Sequence, residues 1–164
     1  MNIATEGKAP ERALTVTRVL NAPRDLVFKA WTDPQQLMQW WGPKHHPAVH
    51  IDMDVRKGGR FRNCLRSAET GVELWHHGEF RDVVAPSLLV FTFAWEEEGE
   101  RGIENLITIT LEDLGAKTKL TLHQTPFQSD AERDGHGEGW GSTFERLAEF
   151  LAPSSSAKAD DPAL

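Results

Sequence analysis

The chain has 164 residues, of which 39% are hydrophobic, and this is enough for the core of one domain. Its formal net charge of -7 disfavours broad contacts with nucleic-acid phosphates and with an anionic membrane surface. A single cysteine, Cys64, allows no intrachain disulfide, and neither a membrane-spanning apolar run nor a secretory leader is visible. We therefore expect a soluble, cytoplasmic protein without nucleic-acid or membrane partners.

Alternating apolar and polar residues predict a curved antiparallel sheet of six to seven strands, each with one face toward a core. The predicted strands cover residues 14–20, 49–55, 60–66, 73–84, 88–96, 103–112 and 117–125. Glycine turns such as Gly58-Gly59 separate several of them, because glycine accepts a positive φ without strain. The fourth strand alternates poorly, so the pattern does not decide whether Glu79 or Phe80 points inward.

Two short helices are predicted between the first and second strands. Asn21 is the expected N-cap of the first helix, and Pro23 lies close to its first position. Asp33 is the expected N-cap of the second helix, which Gly42-Pro43 ends. The apolar faces of the two helices are formed by Leu26, Val27, Ala30 and Trp31 and by Leu37, Met38, Trp40 and Trp41.

The C-terminal pattern predicts one long helix over residues 129–152. Ser129 and Glu132 have the spacing of a capping box at its start. A stripe of apolar residues at helical spacing would cover the dry face of the sheet, and it consists of Trp140, Phe144, Leu147 and Leu151. Four glycines would weaken the centre of this helix: Gly135, Gly137, Gly139 and Gly141. They would bend the helix, fray it or let another group approach it closely.

These elements predict an α+β domain over residues 13–152, with the sheet wrapped around the long helix. Residues 1–12 carry little pattern and are expected to be flexible, and the polar tail over 153–164 is expected to be disordered. A curved sheet around one helix does not fill its own centre completely. We therefore expect a cavity between the sheet and the long helix.

Several short motifs resemble one known family. They are APRDLVFKAWTDP at 22–34, LMQWWGP at 37–43, DMDVRKGGRF at 52–61, LTLHQTPF at 120–127 and Gly139-Trp140. Together with the element order, they resemble the helix-grip fold of START domains and birch-pollen-allergen-like proteins in the SRPBCC superfamily. The likeness covers about residues 14–152 and is greatest to the subfamily named after the activator of heat-shock protein 90 ATPase.

This resemblance implies the fold more closely than it implies the function, because one fold hosts many functions. Members of the wider superfamily carry lipids, bind hormones, cyclise polyketides or support ring-hydroxylating dioxygenases. The subfamily name adds the possibility of a chaperone partner. None of these roles follows from the residues of the chain themselves.

No residue pattern indicates a metal, a cofactor or a catalytic nucleophile. The histidines at 45–46, 50 and 76–77 lack the spacing of a metal site, so they are interpreted as surface or loop-edge residues. Cys64 alternates away from the predicted cavity, and no nucleophile elbow is present. We expect no catalytic residues and no cofactor.

The predicted ligand-binding residues face inward from the strands and from the long helix. The expected apolar walls are Trp40, Phe61, Phe91, Phe93, Ile107, Trp140 and Phe144. Three inward amides, Asn63, Asn105 and Gln124, would orient the polar end of a ligand. The alternative is that the amides satisfy one another, the backbone or a trapped water.

Three functions stay open at this point. The leading hypothesis is binding of a small, largely apolar molecule, such as a lipid or an aromatic or polyketide-like compound. The second is an interaction module that modulates a chaperone or another protein. The third is a cyclase- or hydrolase-like enzyme, which would need a buried His or Glu in the cavity wall. The open edges of the sheet also allow a homodimer.

Overall fold

The computed structural model describes residues 12–96 and 103–152. Along the chain come one strand, two helices, six strands and a final helix. The strands are β1 (Leu14–Leu20), β2 (Ala48–Met53), β3 (Arg60–Arg66), β4 (Glu73–Val84), β5 (Leu88–Trp95), β6 (Asn105–Leu114) and β7 (Lys117–Thr125). The helices are α1 (Arg24–Thr32), α2 (Pro34–Trp40) and α3 (Asp130–Leu151).

All neighbouring strands pair antiparallel in the order β1-β7-β6-β5-β4-β3-β2. Strands that follow one another from β2 to β7 are neighbours, so short turns are sufficient to connect them. Helices α1 and α2 carry the chain from β1, at one edge, to β2, at the other. This architecture is the predicted α+β helix-grip fold, and its sheet has seven strands.

Side chains cap the N-termini of α2 and α3, whereas α1 begins at a proline without a side-chain cap. The Asp33 carboxylate accepts a hydrogen bond from Gln35 N at 3.0 Å, and Ser129 Oγ accepts one from Glu132 N at 3.0 Å. The reciprocal bond of the predicted capping box goes one residue further back, because Glu132 Oε1 accepts from Gln128 N.

The predicted N-cap of α1 was wrong. Asn21 does not cap the helix, and Pro23 occupies the N-cap position without a side-chain hydrogen bond. Its φ of -69° is close to the helical value, and its carbonyl oxygen accepts from Leu26 N and Val27 N. The proline backbone therefore starts this helix two residues after Asn21.

The core lies where α3 crosses the inner face of the sheet. The helix buries Phe144 and Leu147 against a sheet face that includes Ile107 and Leu122, all of which are almost fully buried. Burying one such side chain stabilises the fold by about 1.5–3 kcal/mol, so this stripe holds the helix to the sheet. No helix within residues 12–96 and 103–152 combines the length and the apolar character of a membrane span.

Some expectations fall on parts of the chain outside the described residues. They are the flexible N-terminus before Arg12, the solvated turn over 97–100 and the disordered tail over 153–164. Arg12 itself is described, and its Nε donates to Asp130 Oδ1 at 2.9 Å. It links the start of β1 to the first turn of α3.

Candidate ligand-binding site

A cavity of about 550 Å³ lies beside the N-terminal half of α3. Its other walls come from β3, β4 and β5 and from the loops that follow α2 and β7. The larger apolar side chains of the wall are those of Trp41, Leu65, Leu74, Phe93, Trp95 and Trp140. The volume lies within the roughly 300–1,000 Å³ that is typical of small-molecule sites.

The predicted wall residues occupy three different places. Phe93 and Trp140 line this cavity. Phe61, Asn63 and Phe91 line a second, much smaller space of about 20 Å³. The remaining predicted residues line neither space and are buried in the core: Trp40, Asn105, Ile107, Gln124 and Phe144. The cavity thus lies nearer the start of α3 than the sequence pattern indicates, because Phe144 and Leu147 fill the centre.

The predicted polar residues are held by protein partners. Gln124 Oε1 accepts from Trp140 Nε1 at 2.8 Å, and Gln124 Nε2 donates to Asn105 Oδ1 at 2.9 Å. Asn105 Nδ2 in turn donates to Pro126 O at 3.3 Å. Separately, Asn63 Oδ1 accepts from Asp52 N at 3.1 Å. These contacts match the alternative in which the amides satisfy one another and the backbone, and they hold Trp140 against the sheet.

The two tryptophans of the LMQWWGP motif have different roles. Trp40 is fully buried, and its Nε1 donates to Ala30 O at 3.1 Å, which joins α2 to α1. Trp41 lines the cavity, and its Nε1 donates to His76 Nε2 at 3.0 Å on β4. Of the two adjacent tryptophans, Trp40 thus packs in the core and Trp41 lines the cavity.

The loop after α2 is fixed to α3, and it forms part of the cavity wall. Arg146 donates to the carbonyl oxygens of Gln39, Trp41 and Gly42, and Lys44 N donates to Ser142 Oγ at 2.9 Å. Burial lowers the pKa of the Arg146 guanidinium below its ordinary value. The guanidinium of Arg146 satisfies carbonyl oxygens at the C-terminal end of α2 and just after it, so it fixes this loop to α3.

Gly42 in this loop cannot be replaced by a residue with a side chain without moving the backbone. Its φ is +96°, and a Cβ there would collide with the carbonyl oxygen of His46. His46 itself lines the cavity. The glycine of the motif therefore shapes the cavity wall.

His76 is the most deeply buried titratable group of the cavity wall, at 1% exposure. Its ring stacks on Phe93 with centroids 4.9 Å apart. Burial lowers its pKa to about 3, and the nearby His77 and His136 lower it further. Glu96 and a backbone hydrogen bond with Leu74 raise the pKa by smaller amounts. The ring is therefore neutral at neutral pH. The interpretation of His76 as a surface or loop-edge residue was wrong, because Leu74, His76 and Phe80 share the inward face of β4.

A second tryptophan–histidine pair lies across the cavity. Trp95 Nε1, on β5, donates to His136 Nε2, on α3, at 3.2 Å. Both residues line the cavity, and the pair joins the sheet to the helix. The sequence analysis missed both. A signal was present, because His136 lies one helical turn before Trp140 on the apolar stripe.

Two of the four helix glycines create space in the cavity. Gly135 and Gly139 line it, and a Cβ at either position would meet no atom within 4 Å. Helix α3 nevertheless runs unbroken from Asp130 to Leu151. These two glycines therefore remove side-chain volume from the helix face without interrupting the helix.

Other candidate chemistry lies outside the cavity wall. Within the described ranges, no group of three or more His, Cys, Asp or Glu side chains could hold a metal ion. Cys64 is fully buried on the outward side of β3, and burial raises the pKa of its thiol. It does not line the cavity, and the Sγ–H contacts the Leu65 carbonyl oxygen at 3.4 Å.

Solved structures with this architecture come from several bacteria. Protein CV1439 from Chromobacterium violaceum is 25% identical, with a TM-score of 0.80 over 87% of this chain and 98% of its own. The AHSA1 (SPO3351) protein from Silicibacter pomeroyi is 26% identical, with a TM-score of 0.77 over 85% and 97%. CalU16 from Micromonospora echinospora is 23% identical, with a TM-score of 0.65 over 88% and 79%, and shares the fold.

A search of curated proteins finds no match. The family model described as "Activator of Hsp90 ATPase homolog 1-like protein" matches residues 21–152, which span both short helices, the strands from β2 to β7 and α3. The match includes the Trp41 loop, the His76 strand and the glycine face of α3, which together build the cavity. The chain therefore belongs to the family of Activator of Hsp90 ATPase homolog 1-like proteins.

Proposed function

We propose that this protein binds a small, largely apolar ligand in the cavity of about 550 Å³ between α3 and the sheet. The observation that carries the proposal is the cavity itself, which stays open beside a helix that packs tightly elsewhere. A cavity of this size leaves the apolar side chains of its wall in contact with water. A ligand that covered this wall would remove that apolar surface from water.

The chemistry of the wall supports an apolar ligand. Trp41, Phe93, Trp95 and Trp140 offer aromatic faces and edges on several sides. Each square ångström of apolar surface that a ligand buries contributes about 25 cal/mol. Polar side chains interrupt this wall, among them Thr143, Glu132 and the three histidines His46, His76 and His136, as in sites where polar groups orient a mainly apolar molecule.

The test is a titration with N-phenyl-1-naphthylamine, an uncharged probe whose fluorescence rises in apolar surroundings. We expect a saturable rise with one probe per chain, together with quenching of the cavity tryptophans. Gly139→Leu places a side chain into the cavity, and it should weaken probe binding at least tenfold. Gly141→Leu is the matched control, because Gly141 lies on the same helix but does not line the cavity.

Absence of saturable binding in the wild type would overturn the proposal. Equal loss of binding in both leucine variants would also contradict it, because the effect would then come from the helix and not from the cavity. Circular dichroism and urea unfolding show whether both variants keep the fold.

A second candidate function follows from the family description, which refers to an activator of Hsp90 ATPase. In this function the chain would raise the ATPase turnover of a bacterial chaperone of that class. Adding the purified protein to such a chaperone tests it, and an unchanged turnover would remove this candidate. Gly139→Leu separates the two functions, because a filled cavity should leave turnover unchanged if the outer surface makes the contact.

The buried histidine does satisfy the condition that the sequence analysis set for an enzyme. A ring with a pKa of about 3 is, however, a weak base at neutral pH. His76 therefore supports recognition of a ligand better than it supports proton transfer.

A further inference from the structure

We propose that the ligand of this cavity is an organic cation, in which an alkylated ammonium group is joined to an apolar body, and that the Glu132 carboxylate and the aromatic rings of the wall hold its charge. This inference rests on the proposed function and narrows the class of ligand. It depends on a carboxylate without an ion pair, on the basic side chains that the described wall lacks and on the arrangement of its rings.

Glu132 differs from the two other acidic residues at the start of α3. Asp130 Oδ1 lies 2.9 Å from Arg12 Nε, and Asp134 Oδ1 lies 3.2 Å from Arg133 Nε. Neither aspartate lines the cavity. Glu132 does line it, and within residues 12–96 and 103–152 no basic side chain forms an ion pair with its carboxylate. A ligand cation can therefore supply the missing counterion.

The two carboxylate oxygens of Glu132 have different surroundings. Oε1 accepts from Gln128 N at 2.9 Å, which fixes the side chain at the start of the helix. Oε2 has no hydrogen bond among the described residues, and it is not one of the polar atoms that the protein encloses without a partner. The carboxylate is thus held in place by one oxygen and accessible through the other.

The rest of the wall disfavours an anion. Among the described residues, no lysine or arginine lines the cavity, so a carboxylate or phosphate of a ligand would lack a counterion. The N-terminal end of α3 borders the cavity, but Ser129 Oγ already accepts from Glu132 N at 3.0 Å. The negative charge of Glu132 in the same turn opposes the positive end of the helix dipole.

The histidine acceptors of the wall favour an alkylated ammonium group over one with several N–H donors. An indole N–H is a donor only, so His76 Nε2 accepts from Trp41 at 3.0 Å and His136 Nε2 accepts from Trp95 at 3.2 Å. Neither of these nitrogens carries a proton, and neither is available to a ligand. A primary ammonium ion brings three donors that need acceptors, whereas a quaternary ammonium ion brings none.

The aromatic rings of the wall meet in two corners. Trp41 and Trp140 lie at 68° with centroids 5.4 Å apart, and Phe93 and Trp95 lie at 88° with centroids 5.3 Å apart. All four residues line the cavity. The face of an aromatic ring attracts a cation within about 6 Å of its centroid, and rings at steep angles can contact one rounded group on two sides. Aromatic rings and one carboxylate together fit an alkylated ammonium ion.

Two probes of the same shape test the inference, (2-naphthylmethyl)trimethylammonium and 2-neopentylnaphthalene. They differ in charge, because a nitrogen of one replaces a carbon of the other. We expect the wild type to bind the cation about fivefold more tightly, as measured by displacement of N-phenyl-1-naphthylamine. The anion 2-naphthylacetate should bind more weakly than the cation. A preference for the hydrocarbon or for the anion would overturn the inference.

Glu132→Gln removes the charge but keeps a side-chain oxygen that can accept from Gln128 N, so the helix stays capped. Affinity for the cation should fall about fivefold, while affinity for the hydrocarbon changes by less than about twofold. Glu138→Gln is the matched control, because Glu138 is exposed on the same helix and does not line the cavity. Equal losses in both variants would overturn the inference, since they would come from the overall charge of the chain.

Replacing all six tryptophans by 5-fluorotryptophan tests the rings without a substitution in the chain. Fluorine withdraws electron density from the face of the indole and so weakens its attraction for a cation. Affinity for the cation should fall, and affinity for the hydrocarbon should stay close to its original value. Equal changes for the two probes would contradict a contact between the charge and the rings. This measurement decides the matter even if Glu132→Gln does not fold.

Failure of the inference and failure of the proposed function give different results. Saturable binding of N-phenyl-1-naphthylamine without a preference for the cation keeps the proposed function and overturns the inference. Absence of binding by every probe overturns both.

Discussion

The two halves of α3 face the same sheet, yet one half is closely packed and the other lines a cavity. In the C-terminal half, Phe144 and Leu147 are almost fully buried and fill the space above the sheet. In the N-terminal half, Gly135 and Gly139 face the cavity and place no side chain into it. Side-chain volume, more than the path of the backbone, therefore decides where this fold is open.

Two hydrogen-bonded networks fix tryptophans of the cavity wall. Trp140 donates to Gln124, Gln124 donates to Asn105, and Asn105 donates to the Pro126 carbonyl oxygen. Trp41 donates to His76 Nε2 and so joins the loop after α2 to β4. Both networks hold the wall in one arrangement.

The two halves of α3 should differ most in how much stability is lost when a leucine is shortened to alanine. Leu147→Ala removes a fully buried side chain and should lower the free energy of unfolding by about 3 kcal/mol. Leu74→Ala removes a half-buried side chain that already borders the cavity, so it should cost about 1 kcal/mol.

Urea unfolding measures both changes, and probe titration gives the opposite order. Leu74→Ala should alter ligand affinity, while Leu147→Ala should leave it near the wild-type value. Similar stability losses in the two variants would contradict the division of the helix into a packed half and an open half.

The next largest effect is the pH dependence that His76 gives to stability. Its pKa is about 3 in the folded protein and 6.5 in an ordinary environment, so in this range the unfolded chain takes up a proton that the folded protein excludes. The contribution is complete above the ordinary pKa and is lost as the pH falls toward 3. From about pH 7 to pH 4.5 the loss should be about 2.5 kcal/mol.

The control for this prediction is His76→Phe, which has no proton to take up at this position. Urea midpoints over the same pH range should fall less steeply in the variant than in the wild type. Carboxylates such as Glu73 and Glu96, whose pKa values are lowered by hydrogen bonds from Arg66 and Arg62, titrate in both proteins and cancel in the difference. Parallel slopes would contradict the buried, neutral ring.

The smallest expected effect is the gain in stability from filling the glycine face. Gly139→Ala and the control Gly141→Ala should each raise the free energy of unfolding by about 1 kcal/mol, because alanine favours the helix and neither Cβ meets a neighbour. Only Gly139→Ala takes volume from the cavity, so only it should weaken probe binding. If the two variants bind the probe equally, Gly139 does not shape the site.

The elements that were predicted well are those with strong periodicity. Strands β1, β3, β4 and β7 begin and end where alternation and turn residues place them. Strand β6 begins at Asn105, two residues later than predicted, and extends to Leu114. Its end depends on pairing of Leu114 with Lys117, a contact that alternation alone does not reveal.

The site was harder to predict than the fold, and His76 shows the reason. Strand β4 alternates poorly, and its inward face becomes clear only from its pairing with β3, where His76 lies opposite Asn63. Gln124 shows the converse. The sequence identifies it as an inward amide, but only the neighbouring Asn105 and Trp140 decide that its hydrogen bonds are already made.

The amino-acid sequence by itself determined the order of the elements, the apolar stripe of α3 and the family, because these depend on local periodicity and short motifs. The tertiary structure decided which part of the groove stays open and which histidine lies in its wall. Those properties depend on how side chains from α3, β4 and the loop after α2 fill one shared volume. Periodicity along the chain does not show how these side chains together fill that volume.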